Sequence, residues 1–208
     1  MAEETFNNFF KKTVVPKNML ESLYNESDSV YPDKWVLGNC FSGLKMQDLK
    51  VVILGESPFK TGANGLAYSS DIPALSKSLK NIYIELKNDT GIQNRSSNLI
   101  DWKYQGILLL NCTQTLDTNN GNSNIHDPIW NPITNKMISE LSKQSKFIVF
   151  VLWGNKAIAK SKLIDKRKHR ILTCSHPREP TFIGNGHFSR INDLLRAKGL
   201  TEINWKIE

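Results

Sequence analysis

Long apolar runs are missing from this chain of 208 residues. None approaches the roughly 18 apolar residues that a membrane-spanning helix needs. The opening MAEETFNNFFKK is acidic, then aromatic, then basic. It lacks the basic start and apolar stretch of a secretory signal, which predicts an intracellular protein with no membrane partner. Cysteine is scarce: Cys40, Cys112 and Cys174 form no C-x-x-C pair and no zinc spacing. A disulfide scaffold and a metal site are therefore not expected, and the thiols read as free in a reducing compartment. Neither GxxxxGK(S/T) nor GxGxxG occurs, which argues against an unrelated nucleotide-binding α/β protein. There is no internal repeat and no long linker. Acidic residues are outnumbered, 20 against 27 basic, for a net charge of +7. Such a balance favours polyanions, nucleic acid first. Lys156, Lys160, Lys162, Lys166, Arg167, Lys168, His169 and Arg170 crowd one stretch, which on charge alone reads as a solvated helix face.

What is present suits a folded globular chain: 39% hydrophobic and 23% charged residues, near the usual averages. The length predicts one domain spanning 1–208, with 1–30 as a helical extension packed on it. Four apolar runs stand out: 51–54, 107–110, 147–152 and 170–174. The first three are continuous rather than alternating, as strands buried on both faces of a parallel sheet are. Helical spacing lies between them. Ser76–Lys87 places Leu79, Ile82, Tyr83 and Leu86 on one face. Thr134–Lys143 does so with Met137, Ile138 and Leu141, and Phe188–Lys198 with Ile191, Leu194 and Leu195. Asn155–Leu163 reads as a further helix, and the N-terminal third as helices covering one side. Asp117–Asn124 (DTNNGNSN) is turn chemistry and predicts an exposed loop. Strand then helix, repeated, gives an α/β sandwich.

In such a sheet, function gathers at the carboxyl ends of the strands. Those ends carry Gly55-Glu56-Ser57-Pro58-Phe59, Asn111-Cys112-Thr113, Trp153-Gly154-Asn155 and Ser175-His176-Pro177. Together they predict a cleft along one rim.

These turns resemble, in order and spacing, those of a family-1 uracil-DNA glycosylase. VVILGESPFKTGANGLAYSS (51–70) resembles the water-activating loop GQDPYH and the GL-x-F-S segment that follows it. GILLLNCTQTL (106–116) resembles the strand that ends in the uracil-reading asparagine. VFVLWGNKA (149–157) resembles a phosphate-contacting turn. SHPREP (175–180) and HFSRINDLL (187–195) resemble the histidine-bearing minor-groove loop and the helix after it. The resemblance covers nearly all of the chain beyond about residue 30. It implies a three-layer α/β/α sandwich on a four-stranded, mostly parallel sheet, with no cofactor. It also implies excision of uracil, or a related pyrimidine, from single- or double-stranded DNA. A protein inhibitor or a replication protein is a further partner that it implies.

Carried over residue by residue, the resemblance makes His176 the donor to the leaving base. Asn111 becomes the reader of its edge, and Tyr68 stands where a stacking phenylalanine is usual. Lys60, Ser78, Gly154, Asn155, Arg178 and Ser189 fall at DNA-contacting positions. The departures lie in the first turn. Ser57 replaces the aspartate that positions water, Glu56 replaces glutamine, Phe59 replaces tyrosine and Lys60 replaces histidine. Phe59 keeps the bulk that excludes the thymine methyl. The usual wedge leucine has no clear equivalent; Pro180 falls nearest, and Arg178 or Phe182 could fill the gap left by a flipped base. Loss of the aspartate leaves two readings open: a glycosylase with Glu56 or a Ser57-held water on the sugar side, or a non-enzymatic DNA-binding subunit of a replication or repair assembly.

Overall fold

The computed structural model describes residues 17–119 and 124–207. A helix, α1 (Lys17–Asn25), is followed by a short strand, β1 (Val30–Tyr31), and then by β2 (Val51–Gly55). Next come α2 (Lys77–Thr90), α3 (Ile100–Tyr104), β3 (Ile107–Asn111) and β4 (Leu116–Asp117). The remainder is α4 (Asp127–Lys143), β5 (Val149–Trp153), α5 (Asn155–Ile158), β6 (Arg170–Cys174) and α6 (His187–Arg196).

The main sheet has the order β3-β2-β5-β6, and all three pairings are parallel. Every residue of β2, β3 and β5 is buried, as their continuous apolar runs predict. Alternate side chains serve opposite faces. Val52, Leu54, Leu108, Leu110, Phe150 and Leu152 meet α1 and α4 through Leu23, Trp130, Met137 and Leu141. Val51, Ile53, Ile107, Leu109, Val149 and Val151 meet α2, α3 and α6 through Leu79, Leu86, Trp102, Phe188 and Ile191. The result is three layers, α/β/α.

Local chemistry sets the helix that matters most for the cleft. Ser76 caps α2, its hydroxyl accepting the Leu79 N–H at 3.1 Å. Gly91, at φ 77°, ends it in the left-handed conformation. Between these caps Leu79, Ile82, Tyr83 and Leu86 face the sheet, as their spacing predicts.

Four expectations need correction. The N-terminal third is only partly helical: besides α1 and a 3-10 turn at Met46–Asp48, it contributes β1, and residues 1–16 lie outside the described ones. Asp117 does not begin an exposed loop. It is buried and pairs in β4 with Val30, in a ladder too short to leave a periodic signal; 120–123 lie outside the described residues. Asn155–Leu163 is helical for one turn and then tightens to a 3-10 stretch over Ala159–Leu163. The basic cluster is not one face either. Lys160 is buried, with Nζ on Asn131 Oδ1 and Asn135 Oδ1, both at 2.7 Å. His169 is buried between the Ser142 carbonyl at 2.9 Å and the Ile148 N–H at 3.3 Å. Lys166, Arg167, Lys168 and Arg170 lead into the amino end of β6, about 13 Å from its carboxyl end at some 3.3 Å per residue, and so away from the rim.

His187 opens α6 and is buried. Its Nδ1 accepts the Trp153 Nε1–H at 3.0 Å, which requires that nitrogen to be unprotonated. Burial lowers its pKa from 6.5 to about 4, against the opposing pull of Asp89. The folded value lies below the unfolded one. The stabilisation is therefore complete above pH 6.5 and is lost as the pH falls toward 4. Thermal unfolding midpoints should drop through that window, and His187→Gln, which can still accept the indole N–H, should flatten the drop. A variant as acid-sensitive as the parent would contradict this account.

Candidate active site

Register brings the four strand ends to one level. Gly55 pairs with Asn111, Leu54 with Leu152 and Trp153 with Cys174. The turns that follow enclose a cleft of about 400 Å³. Of the residues singled out in the sequence, Glu56, Ser57, Phe59, Lys60, Tyr68, Ser78, His176 and Arg178 line it. Asp117 also lines it and was not expected there, and Lys156, from the 149–157 turn, lines it too. Lys156 is paired with Asp127 at 2.8 Å, and Asp127 accepts the Thr113 hydroxyl at 2.5 Å.

Asn111 sits at the end of β3, 5% exposed. Its Oδ1 is the one buried side-chain polar atom without a hydrogen-bond partner among the described residues. Leaving such an acceptor unpaired costs roughly 1–3 kcal/mol, so the free structure is primed for an N–H donor. The amide lies against Gly55, where a Cβ would collide with Oδ1 and come 3.5 Å from the Tyr68 ring. Asn111 and Tyr68 thus share one corner. Tyr68 holds φ at 63°, the left-handed region, and is the only described residue other than glycine to do so. Its ring is buried, 5.6 Å from the Trp153 ring and 6.2 Å from that of His176.

His176 follows β6. Its Nδ1 accepts the Arg178 backbone N–H at 3.1 Å, which leaves the proton of the neutral ring on Nε2. Nε2 lies 4.0 Å from Glu56 Oε2. Burial pushes the His176 pKa below its ordinary value, while the Glu56 carboxylate pulls the other way. The outcome is a neutral imidazole with an N–H at the cleft. Gly154 makes this approach possible. It sits at φ 95°, and a Cβ there would stand 3.0 Å from His176 Cβ and 3.2 Å from Glu56 Oε1.

Three expectations change here. The Gly154 N–H is already given to the Cys174 carbonyl at 3.0 Å, so this residue offers space rather than a donor. Ser189 does not line the cleft; its N–H goes to Asp89 at 2.8 Å and its hydroxyl to the Gly186 carbonyl at 3.3 Å. Phe182 is fully buried, edge-on to Trp153 at 5.0 Å, and cannot enter a duplex. Pro180 and Arg178 are exposed. Asn155 is exposed at the first position of α5, beside the Gly154 turn.

The sequence pattern of the Uracil DNA glycosylase superfamily matches residues 42–195. The chain belongs to that superfamily. Among superfamily members, the uracil-DNA glycosylase of Campylobacter lari is 34% identical, over 99% of this chain and 95% of its own. That of Streptococcus gordonii is 39% identical, over 90% of this chain and 88% of its own. A mimivirus UNG point variant solved in complex with UGI superposes with a TM-score of 0.85 at 25% identity. The match covers 100% of this chain and 89% of that one. Among the described residues of this chain, no helix is long and apolar enough to cross a membrane.

The closeness of Gly154, Glu56 and His176 can be checked directly. Gly154 occupies a backbone region open essentially to glycine alone, so Gly154→Ala should destabilise the fold by about 1–3 kcal/mol in chemical denaturation. Unchanged stability would mean that the turn is looser than described.

Proposed function

We propose that this protein is a uracil-DNA glycosylase of attenuated activity, acting in base-excision repair. It flips uracil, or a related pyrimidine, from DNA into the cleft and hydrolyses the bond between base and sugar, leaving an abasic site. The observation that carries this reading is the unpartnered Asn111 Oδ1, buried next to Tyr68. An amide presents an acceptor and a donor side by side. That pair complements the N3–H and O4 of uracil and opposes the reversed edge of cytosine, which would leave polar groups unpaired. Tyr68 stacks on the flipped ring. Phe59 fills the space that a thymine methyl would need.

Bond cleavage puts negative charge on the leaving base and positive charge on the sugar. His176, neutral with its proton on Nε2, donates to the uracil oxygen where that charge gathers. Lys60, Ser78, Asn155 and Arg178 supply contacts to the DNA backbone, which set affinity and register rather than base choice. UGI, the protein bound to the mimivirus relative, supports a protein inhibitor as a second class of partner.

The first turn supports attenuation. Ser57 carries no charge to position water or offset the sugar's positive charge. Glu56 does carry a carboxylate, but it is aimed at His176 and Gly154. There it flanks the donor to the leaving base and opposes the negative charge forming on it. The second reading, a DNA-binding subunit without catalysis, is favoured by Ser57 alone.

Uracil-containing oligonucleotides, followed by alkaline cleavage of abasic sites, separate the two. His176→Ala and Asn111→Ala should each lower single-turnover excision about 100- to 1000-fold, the usual loss for one positioned transition-state donor. Near-parental rates in both would remove the mechanism, and no excision by the parent would favour the subunit. Ser57→Asp should raise the parental rate by about tenfold or more, since a carboxylate beside the sugar recovers roughly 1.4 kcal/mol or more of barrier. Glu56→Gln should not lower it. A parent that Glu56→Gln inactivates would mean that Glu56 serves the sugar side after all.

A further inference from the structure

One face of α2 is fastened to the loop that carries His176. Asn81, Glu85 and Asp89 recur every four residues and so align along one stripe of the helix. Asn81 Nδ2 donates to the Pro177 carbonyl at 2.7 Å. Glu85 accepts the Gly184 N–H on Oε2 and the Gly186 N–H on Oε1, the latter at 2.8 Å. Asp89 accepts the Ser189 N–H at 2.8 Å. The three contacts hold the loop at its departure from β6, at its return and at its entry into α6.

Glu85 is the unusual member. It is 1% exposed, and none of the ion pairs among the described residues includes it. Burying a carboxyl group is costly unless hydrogen bonds satisfy it, and here each oxygen accepts a loop N–H. What the carboxyl supplies is two acceptors at a fixed separation. They meet two N–H groups turned inward by glycines at φ 91° and 63°. Glu85 also lies close to the other foot of the loop: with burial, it raises the Cys174 thiol to about 12, and Cys174 is the last residue of β6. Within the loop, backbone groups orient the histidine. The Arg178 N–H fixes Nδ1 at 3.1 Å, and the Glu179 N–H bonds the His176 carbonyl at 2.8 Å.

We propose that Glu85 is a positioning residue for base excision. It fixes the shape of the loop so that the Arg178 N–H holds His176 with Nε2–H facing the cleft, and it touches neither DNA nor base. This rests on the glycosylase reading above.

Glu85→Gln tests it. Glutamine keeps the size but has one acceptor, and its amide N–H group faces the second loop N–H. Three readouts are taken: single-turnover excision at saturating uracil-containing DNA, affinity for that DNA, and the pH titration of the His176 imidazole by NMR. The rate should fall about tenfold or more with little change in affinity. The His176 titration should move up toward 6.5 as the ring loses its shelter. An unchanged rate overturns the proposal. So does a lowered rate with an unmoved His176 titration, which would mean a structural effect elsewhere. Should Glu85→Gln fail to fold, Asn81→Ala releases the anchor next to His176 and should move rate and titration the same way, by less; no movement in either overturns the proposal. If the parent does not excise uracil, the glycosylase reading falls, and the His176 titration still reports whether Glu85 positions the ring.

Discussion

The pairing of Gly55 with Asn111, and of Trp153 with Cys174, ends the parallel strands at one level. A parallel sheet buried on both faces tolerates no slip, because a shift of one residue would turn each apolar set to the wrong layer. The cores above and below the sheet therefore fix the depth at which the turns begin. His176 comes within 4.0 Å of Glu56, and Asn111 lies against Gly55, because three separate segments are held to a common register by side chains far from the cleft. Trp153 carries the constraint outward: its ring packs against Tyr68 on one side, and its indole N–H bonds His187 on the other.

Within that frame the cleft divides its charges unevenly. On the proposed reading, the base side has a neutral imidazole, an amide with an open acceptor and a carboxylate at 4.0 Å from the imidazole. The sugar side, at Ser57, has a hydroxyl. Transition-state stabilisation depends on placing charge opposite to what develops. By that measure, and on the same proposed reading, the base side is nearly complete, apart from the carboxylate, and the sugar side is thin. Lys156 does not redress the balance, since Asp127 already neutralises it.

Much of this was legible in the sequence, for physical reasons. Three strands are apolar on both faces and so read as continuous runs, and α2 buries a clean helical stripe. The meeting of the four turns followed from parallel topology. Individual side chains were less legible where tertiary direction decides. Phe182 follows an exposed proline and reads as a surface aromatic, yet it turns inward onto Trp153. The basic stretch reads as one patch, but the chain runs from one end of the sheet to the other within it, burying Lys160 and His169 on the way. Glu85 left no signal at all: a lone glutamate on a helix with lysines nearby looks solvated, and only the fold puts the 184–186 backbone over it.

Tyr68 carries a consequence of its own. A side chain at φ 63° sits in a backbone region that costs about 1–3 kcal/mol for most residues. Glycine would relieve that cost but empty a buried ring site packed on Trp153, a loss of roughly 3–5 kcal/mol for a core aromatic. Packing outweighs the strain, so stability and the proposed grip on a flipped base favour the same ring. Libraries screened only for heat resistance would therefore keep an aromatic side chain here. Hardening of the protein is better sought at the amino ends of the strands, across the sheet from the cleft.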